Sequence, residues 1–198
     1  MIIPEYRGYS LLKCYQPDID LIRTDMRYFV KELERKGVIE VERTILFGKS
    51  LGSHLASYLS SRFTFHSCIL FCGIVSVSKI VEAKTNSFLG SMIKQNCDNF
   101  PYLSKILCPL LIIHGEKDDL IPYLDIVDMV NRLNENVKYT LYIGKELEHN
   151  SYSELEDIFN PVSDFYAHTH PFDRIIDDKC GIRNNPLGFS RIENNDEL

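Results

Sequence analysis

The sequence predicts an α/β fold, a mostly parallel, doubly wound sheet. Two observations carry this. Short apolar runs at 44–47, 67–72, 110–113 and 137–144 alternate with segments of helical period. The run 110–113 is apolar at every position, as expected of a parallel strand covered on both faces rather than on one.

Each element has a local cause. Pro17 and Asp18 open a first helix on which Ile19, Ile22, Met26, Phe29, Val30 and Leu33 recur along one face. Gly37 ends it, after Arg35 and Lys36, whose charges suit the helix C-terminus. Residues 44–47 read as a strand, 51–61 as the helix after it and 67–72 as the next strand. Residues 73–105 have a mixed pattern with Gly90 and Pro101. The run 110–113 is a strand closed by His114 and Gly115, and 123–133 is a helix with Leu124, Val127, Met129 and Val130 as its apolar positions. Residues 137–144 form another strand, and Ser151 opens a last helix to about Phe159. From Pro161 onward the chain holds Pro171, Pro186 and two Asn-Asn pairs, so the domain is expected to span 1–160 and residues 161–198 to be a poorly ordered tail.

Where the first strand meets its helix the sequence reads Gly-Lys-Ser-Leu-Gly at 48–52. Strand, Gly-x-Ser-x-Gly and helix together are the setting of a nucleophile elbow, a tight turn that leaves a serine hydroxyl exposed at the strand end. Glycines at 48 and 52 have no Cβ, so strand and helix can approach closely around Ser50. The amide of Leu51, in the first helical turn, lacks an intrahelical acceptor and can point at a developing oxyanion. Two bland readings compete. Gly48-Lys49-Ser50 matches the end of a phosphate-binding loop, but the glycine that motif needs upstream is Arg43. Ser50 could also be an ordinary helix N-cap.

Downstream residues favour the nucleophile. Asp118 lies on the loop after strand 110–113, where open α/β sheets place their sites; its neighbour Asp119 is the alternative acid. His149 lies on the loop after strand 137–144, where a base belongs. The chain order is therefore Ser50, Asp118, His149. His54 and His66, on or after the elbow helix, read as structural; Lys49 reads as solvent-facing. His168 and His170 offer a weak metal pattern, better read as a solvated surface pair.

These motifs make the chain resemble α/β-hydrolases of the serine-hydrolase group that includes Bem46-like proteins and acyl-protein thioesterases (depalmitoylases), with a serine aminopeptidase-like domain. The resemblance rests on Pro-Glu-Tyr-Arg-Gly-Tyr at 4–9, residues 48–52, His114 and Gly115 with Asp118, Ile121 and Pro122, and His149 with Asn150. It implies a catalytic Ser50, Asp118 and His149, an oxyanion donor at Leu51, His114 packed beneath the site and a short cap at about 73–105. It implies cleavage of an ester, thioester or related acyl bond, with peptides less favoured, through an acyl-enzyme and without metal or organic cofactor. The substrate is expected to be a small molecule or a protein-attached acyl group.

The resemblance also exposes a gap. In such hydrolases the Tyr-Arg-Gly-Tyr segment follows the fourth strand, and here it starts at Tyr6. The first strands are absent, 1–4 is a stub of the fourth, and the loop that carries the second oxyanion donor is missing. The expectation is an N-terminally truncated product or incomplete gene model; the rival is a real short protein. Strand 44–47 then becomes a sheet edge open to self-association. The alternative function is a catalytically silent fragment or interaction protein.

Bulk properties fit a globular domain of 198 residues, 44% hydrophobic and 25% charged. A net charge of −6 argues against nucleic acid as a partner. No run approaches the length of a membrane span, and no signal-peptide pattern opens the chain. Cys14, Cys68, Cys72, Cys97, Cys108 and Cys180 lack metal spacing and read as reduced thiols. The expected location is cytoplasmic, with a membrane-peripheral setting open and a targeting segment possible upstream. The final Asn-Asp-Glu-Leu reads as a coincidental likeness to a retrieval signal.

Overall fold

The four apolar runs become β1 (Ile45–Lys49), β2 (Ser67–Phe71), β3 (Leu110–Gly115) and β4 (Tyr139–Gly144), parallel neighbours in sequence order. A fifth strand, β5 (Ser190–Glu193), pairs antiparallel with β4. The computed structural model describes residues 1–75, 97–169 and 190–193, the last as backbone. Most of the expected cap, residues 76–96, lies outside the described residues, as do Cys180, His170 and the final Asn-Asp-Glu-Leu.

Sequential order of parallel strands requires each crossover to step the same way, and right-handed crossovers then put the connecting helices on one face. That face carries α1 (Ile19–Arg35), α2 (Leu51–Ser60), α3 (Phe100–Leu103) and α4 (Tyr123–Val130). Ile22, Met26, Leu55, Leu59, Leu103 and Ile126 from these helices pack on Leu70, Leu110, Ile112 and Leu141 of the sheet. The alternate strand residues, Ile69, Phe71, Leu111, Ile113 and Tyr142, point to the other face and meet Leu147 and Phe165. Covering on both faces is why β2 and β3 are buried at every position.

The helix ends follow their chemistry. The Asp18 side chain accepts from the Leu21 amide at 2.9 Å and caps α1. Gly37 stands at φ 67° beyond its other end. Arg7 ties the Tyr-Arg-Gly-Tyr segment to α1 through a two-pronged pair with Asp25, at 2.9 and 3.0 Å.

Three expectations change. Residues 1–6 form no strand; with no described strand beside β1 they have no ladder to join. Ser153, not Ser151, caps the last helical region, accepting from the Glu156 amide at 3.3 Å. That region begins as a π-helical turn (Glu154–Phe159) and continues as α5 (Asn160–Thr169). The folded chain therefore runs past residue 160. Pro161 stands where the π-helical turn passes into α5, and the helical run continues through it to Thr169.

Among the described residues β1 is the outer strand on its side. Its side chains Ile45 and Phe47 are about half exposed, at 47% and 49%. No helix of the described residues is long and apolar enough to cross a membrane.

Candidate active site

Parallel strands deliver their following loops to one end of the sheet, and the site is assembled there. Ser50 stands between β1 and α2, Asp118 on the loop after β3 and His149 on the loop after β4. The fold brings all three together. His149 Nε2 lies 3.1 Å from Ser50 Oγ, and His149 Nδ1 lies 2.8 Å from Asp118 Oδ2. Asp119, the alternative acid, is exposed.

Ser50 has φ 50° and ψ −119°, and its side chain makes no cap hydrogen bond. An N-cap serine has extended backbone and accepts from the helix amides. Ser50 does neither, so the N-cap reading does not fit. A positive φ in a non-glycine residue is strained and persists where surroundings hold it. Gly48 is one cause: a Cβ there would lie 2.4 Å from the Gly52 carbonyl oxygen. Gly52 is different from expectation. A Cβ on it would meet only Tyr6 Oη, at 3.8 Å, so its backbone, not its lack of side chain, shapes the turn.

Asp118 Oδ1 accepts from the amides of Leu120 and Ile121 at 3.0 and 2.8 Å, which leaves Oδ2 for His149. Burial works to raise the carboxyl pKa, but hydrogen bonds from His149 and the Ile121 amide, with His114 nearby, outweigh it and hold it below the ordinary value. His114 lies beneath. Its Nε2 donates to the Ile121 carbonyl at 2.8 Å and stands 3.5 Å from Asp118 Oδ2. Burial lowers its pKa and keeps it neutral. Close packing of the two loops depends on Gly115, where a Cβ would fall 2.0 Å from the Leu147 carbonyl oxygen.

Three features escaped sequence reasoning. Cys72 follows β2 at φ 44°, and its thiol donates to the Glu148 carbonyl at 3.9 Å, next to His149. Cys72, Asp118 and His149 form a group whose ligand atoms lie within 4.8 Å of one another. They suit a metal poorly: Asp118 and His149 already engage each other, and burial pushes the Cys72 thiol up to about 12, away from the thiolate a metal needs. Lys49 is half-buried, donates to Asn150 Oδ1 at 3.2 Å and lies 4.7 Å above the Tyr152 ring, so it is not simply solvent-facing. The third feature is a polar network behind Ser50, centred on His54. Cys68, Cys72, Cys97 and Cys108 are buried and free, and Cys14 is exposed and free.

Chemically, the arrangement offers a hydroxyl, an imidazole able to take its proton, and a carboxylate that fixes the imidazole tautomer.

No family model matches the chain. Over 137 residues, 68% of its length, it is 26% identical to an alpha/beta hydrolase domain-containing protein, aho-3, of Caenorhabditis elegans, and it spans 39% of that protein. An esterase of Pyrococcus furiosus superposes with a TM-score of 0.60 at 20% identity, covering 77% of this chain and 63% of the esterase. Dipeptidyl peptidase 4 of Porphyromonas gingivalis superposes with a TM-score of 0.61 at 14% identity, covering 82% of this chain and 26% of the peptidase. These likenesses show the fold.

Proposed function

We propose that this chain, which has the α/β-hydrolase fold, is a serine hydrolase that cleaves an ester or thioester through an acyl-enzyme on Ser50. The observation that carries the reading is the unbroken line from Ser50 Oγ to His149 Nε2, at 3.1 Å, and from His149 Nδ1 to Asp118 Oδ2, at 2.8 Å. As Ser50 Oγ attacks the acyl carbon, His149 Nε2 takes its proton. Asp118 holds Nδ1–H in place and stabilises the imidazolium. The carbonyl oxygen becomes an oxyanion, to which the Leu51 amide donates. When the tetrahedral adduct collapses, His149 returns the proton to the departing alcohol or thiol. A water deprotonated by His149 then attacks the acyl-enzyme, and Ser50 recovers its proton as the acid leaves. The side chains that do this need no metal or organic cofactor. The substrate class is a small-molecule or protein-attached acyl group.

A second reading is an interaction protein of the same fold without turnover. The exposed outer strand β1, on whose end Ser50 rides, favours it. One experiment separates the two. The purified chain is treated with a fluorophosphonate probe beside Ser50→Ala and His149→Ala. Labelling of the wild type, abolished in Ser50→Ala and reduced by about a thousandfold or more in His149→Ala, is expected. A folded wild-type chain that does not label would overturn the hydrolase reading.

A further inference from the structure

Behind Ser50 lies a row of buried polar side chains that the acyl-transfer scheme does not use. Arg23 on α1 donates from Nε and Nη2 to His54 Nε2, at 3.0 and 2.6 Å. His54 Nδ1 lies 2.7 Å from Asn99 Oδ1. Asn99 Nδ2 donates to Ser53 Oγ at 3.3 Å and to the Ile74 carbonyl at 2.5 Å. Ser53 Oγ donates to the Ser50 carbonyl at 2.6 Å and accepts from the Ile74 amide at 3.0 Å. Ser53, His54 and Asn99 are all buried.

The direction of every bond is fixed by chemistry. A guanidinium only donates, so His54 Nε2 accepts. The neutral ring then carries its hydrogen on Nδ1 and donates to Asn99 Oδ1. A carbonyl only accepts, so the Asn99 atom facing Ile74 is the amide nitrogen, and the same nitrogen donates to Ser53. The Ser53 hydroxyl has one hydrogen, and it goes to Ser50. All donors point the same way, from the guanidinium to the Ser50 carbonyl, the arrangement in which each bond polarises the next.

The end point matters because a peptide is planar. The Ser50 carbonyl and the Leu51 N–H belong to one rigid unit and point in opposite directions. The Ser53 amide also donates to that carbonyl, at 2.9 Å. Anchoring the carbonyl with both Ser53 donors therefore aims the Leu51 amide.

We propose that Arg23, His54, Asn99 and Ser53 form a one-way donor chain that orients the Ser50–Leu51 peptide, with His54 as the positioning residue that links α1 to the oxyanion donor. This rests on the reading of Ser50 as nucleophile and Leu51 as oxyanion donor. His54 touches no reacting atom; it acts through Asn99 and Ser53. Burial and the Arg23 charge push its pKa down to about 4, which keeps it in the neutral form the chain requires.

The test uses the full chain, p-nitrophenyl butyrate as substrate, and active sites counted by fluorophosphonate titration. Ser53→Ala removes the final donor, His54→Phe removes both ring nitrogens while keeping a ring, and His54→Asn returns an amide donor toward Asn99. Complete loss of an oxyanion donor costs about 10²–10³ in turnover, so a misaimed one is expected to lower kcat per titrated site by about tenfold or more in Ser53→Ala and His54→Phe. KM should stay within about twofold, and His54→Asn should recover part of kcat. A merely structural role would lower the melting temperature and the number of titrated sites but not kcat per site.

The second readout is the Leu51 amide resonance in a 15N–1H spectrum, which should shift in Ser53→Ala and His54→Phe alike. Should His54→Phe fail to fold, Ser53→Ala, smaller by one hydroxyl, decides alone. An unmoved Leu51 resonance in a folded variant, or kcat per site within about twofold of wild type, would overturn the proposal. A wild-type chain without Ser50-dependent hydrolysis would instead sink the acyl-transfer reading, and the Leu51 resonance would still judge the chain of donors.

Discussion

At the scale of single residues, the site depends on two side chains in opposite ways: one is absent and the other is uncharged. Gly48 is the absent one. Alanine there brings a Cβ to 2.4 Å from a backbone oxygen of α2, which cannot rotate aside as a side chain would. Strand and helix must part, at a cost of about 1–3 kcal/mol, and Ser50 moves with them. Gly48→Ala is expected to lose fluorophosphonate labelling while Gly52→Ala keeps a measurable rate, because position 52 has room for the methyl. Equal losses in the two variants would contradict this steric account. His54 is the uncharged one. It faces Arg23 and Asp20 from α1, and Asn99 and Tyr102 from the segment beginning α3. Its pKa falls from the ordinary 6.5 to about 4, through burial first and the Arg23 charge second. Below pH 6.5 the unfolded chain takes up a proton here that the folded chain refuses until about pH 4, so acid favours unfolding. The stabilisation is whole above pH 6.5 and is lost as pH falls toward 4, on the order of 3 kcal/mol in all. Urea midpoints measured from pH 7 to 4 should fall more steeply for wild type than for His54→Asn. Parallel curves would show that His54 does not titrate this way. The sequence singled out Ser50, Asp118 and His149 because each follows a recognisable strand, and the fold brings the three within hydrogen-bonding distance. It hid the donor chain, because Arg23, His54 and Asn99 are far apart along the chain and meet only in the packed structure.

At the scale of elements, the strands were legible and the end of the fold was not. Burial on both faces makes β2, β3 and β4 apolar at almost every position, a signal that needs no partner to be read. The turn after Ser153 and α5 carry a weaker one. Their apolar residues are split by Pro161, which reads as a break, although the helical run from Glu154 continues through it. β5 is four residues long, too short for any period to declare itself. α5 nonetheless covers the second face of the sheet, with Phe165 against Ile69, Phe71, Leu111 and Ile113. Phe165 is 1% exposed. Truncation of a buried phenylalanine to alanine costs about 3–5 kcal/mol where the site cannot collapse. Phe165→Ala should lower the urea midpoint by a corresponding amount, and a chain ending at residue 160 should aggregate, because it uncovers that face. A Phe165→Ala chain as stable as wild type would return the domain boundary to 160, where the sequence alone puts it.

At the scale of the whole molecule, Ser50 rides on the strand with the least support. β2, β3 and β4 each have a strand on both sides, whereas β1 has only β2 among the described residues. Ile45 and Phe47 leave much of their surface in water, and Phe47 has the Phe71 ring as its stacking partner, with centroids 6.2 Å apart. Elements with fewer buried contacts open at lower free energy than the core they flank. The site should therefore fail before the fold does. The chain has no tryptophan and 11 tyrosines, so tyrosine fluorescence reports global unfolding without interference. In a urea series, labelling at Ser50 should be lost at a lower concentration than the fluorescence transition, and β1 amides should exchange hydrogen faster than those of β3. Coincident transitions would mean that β1 is held as firmly as the inner strands. Pairing of β1 with a second copy of the chain would hold it so, since unpaired strand edges template further pairing. Sedimentation velocity separates the cases. A monomer with an early-failing site supports the uncovered edge, and a dimer whose two transitions coincide supports pairing through β1. A monomer with coincident transitions would show that β1 is as firmly held by β2 and α2 alone as the inner strands are by two neighbours.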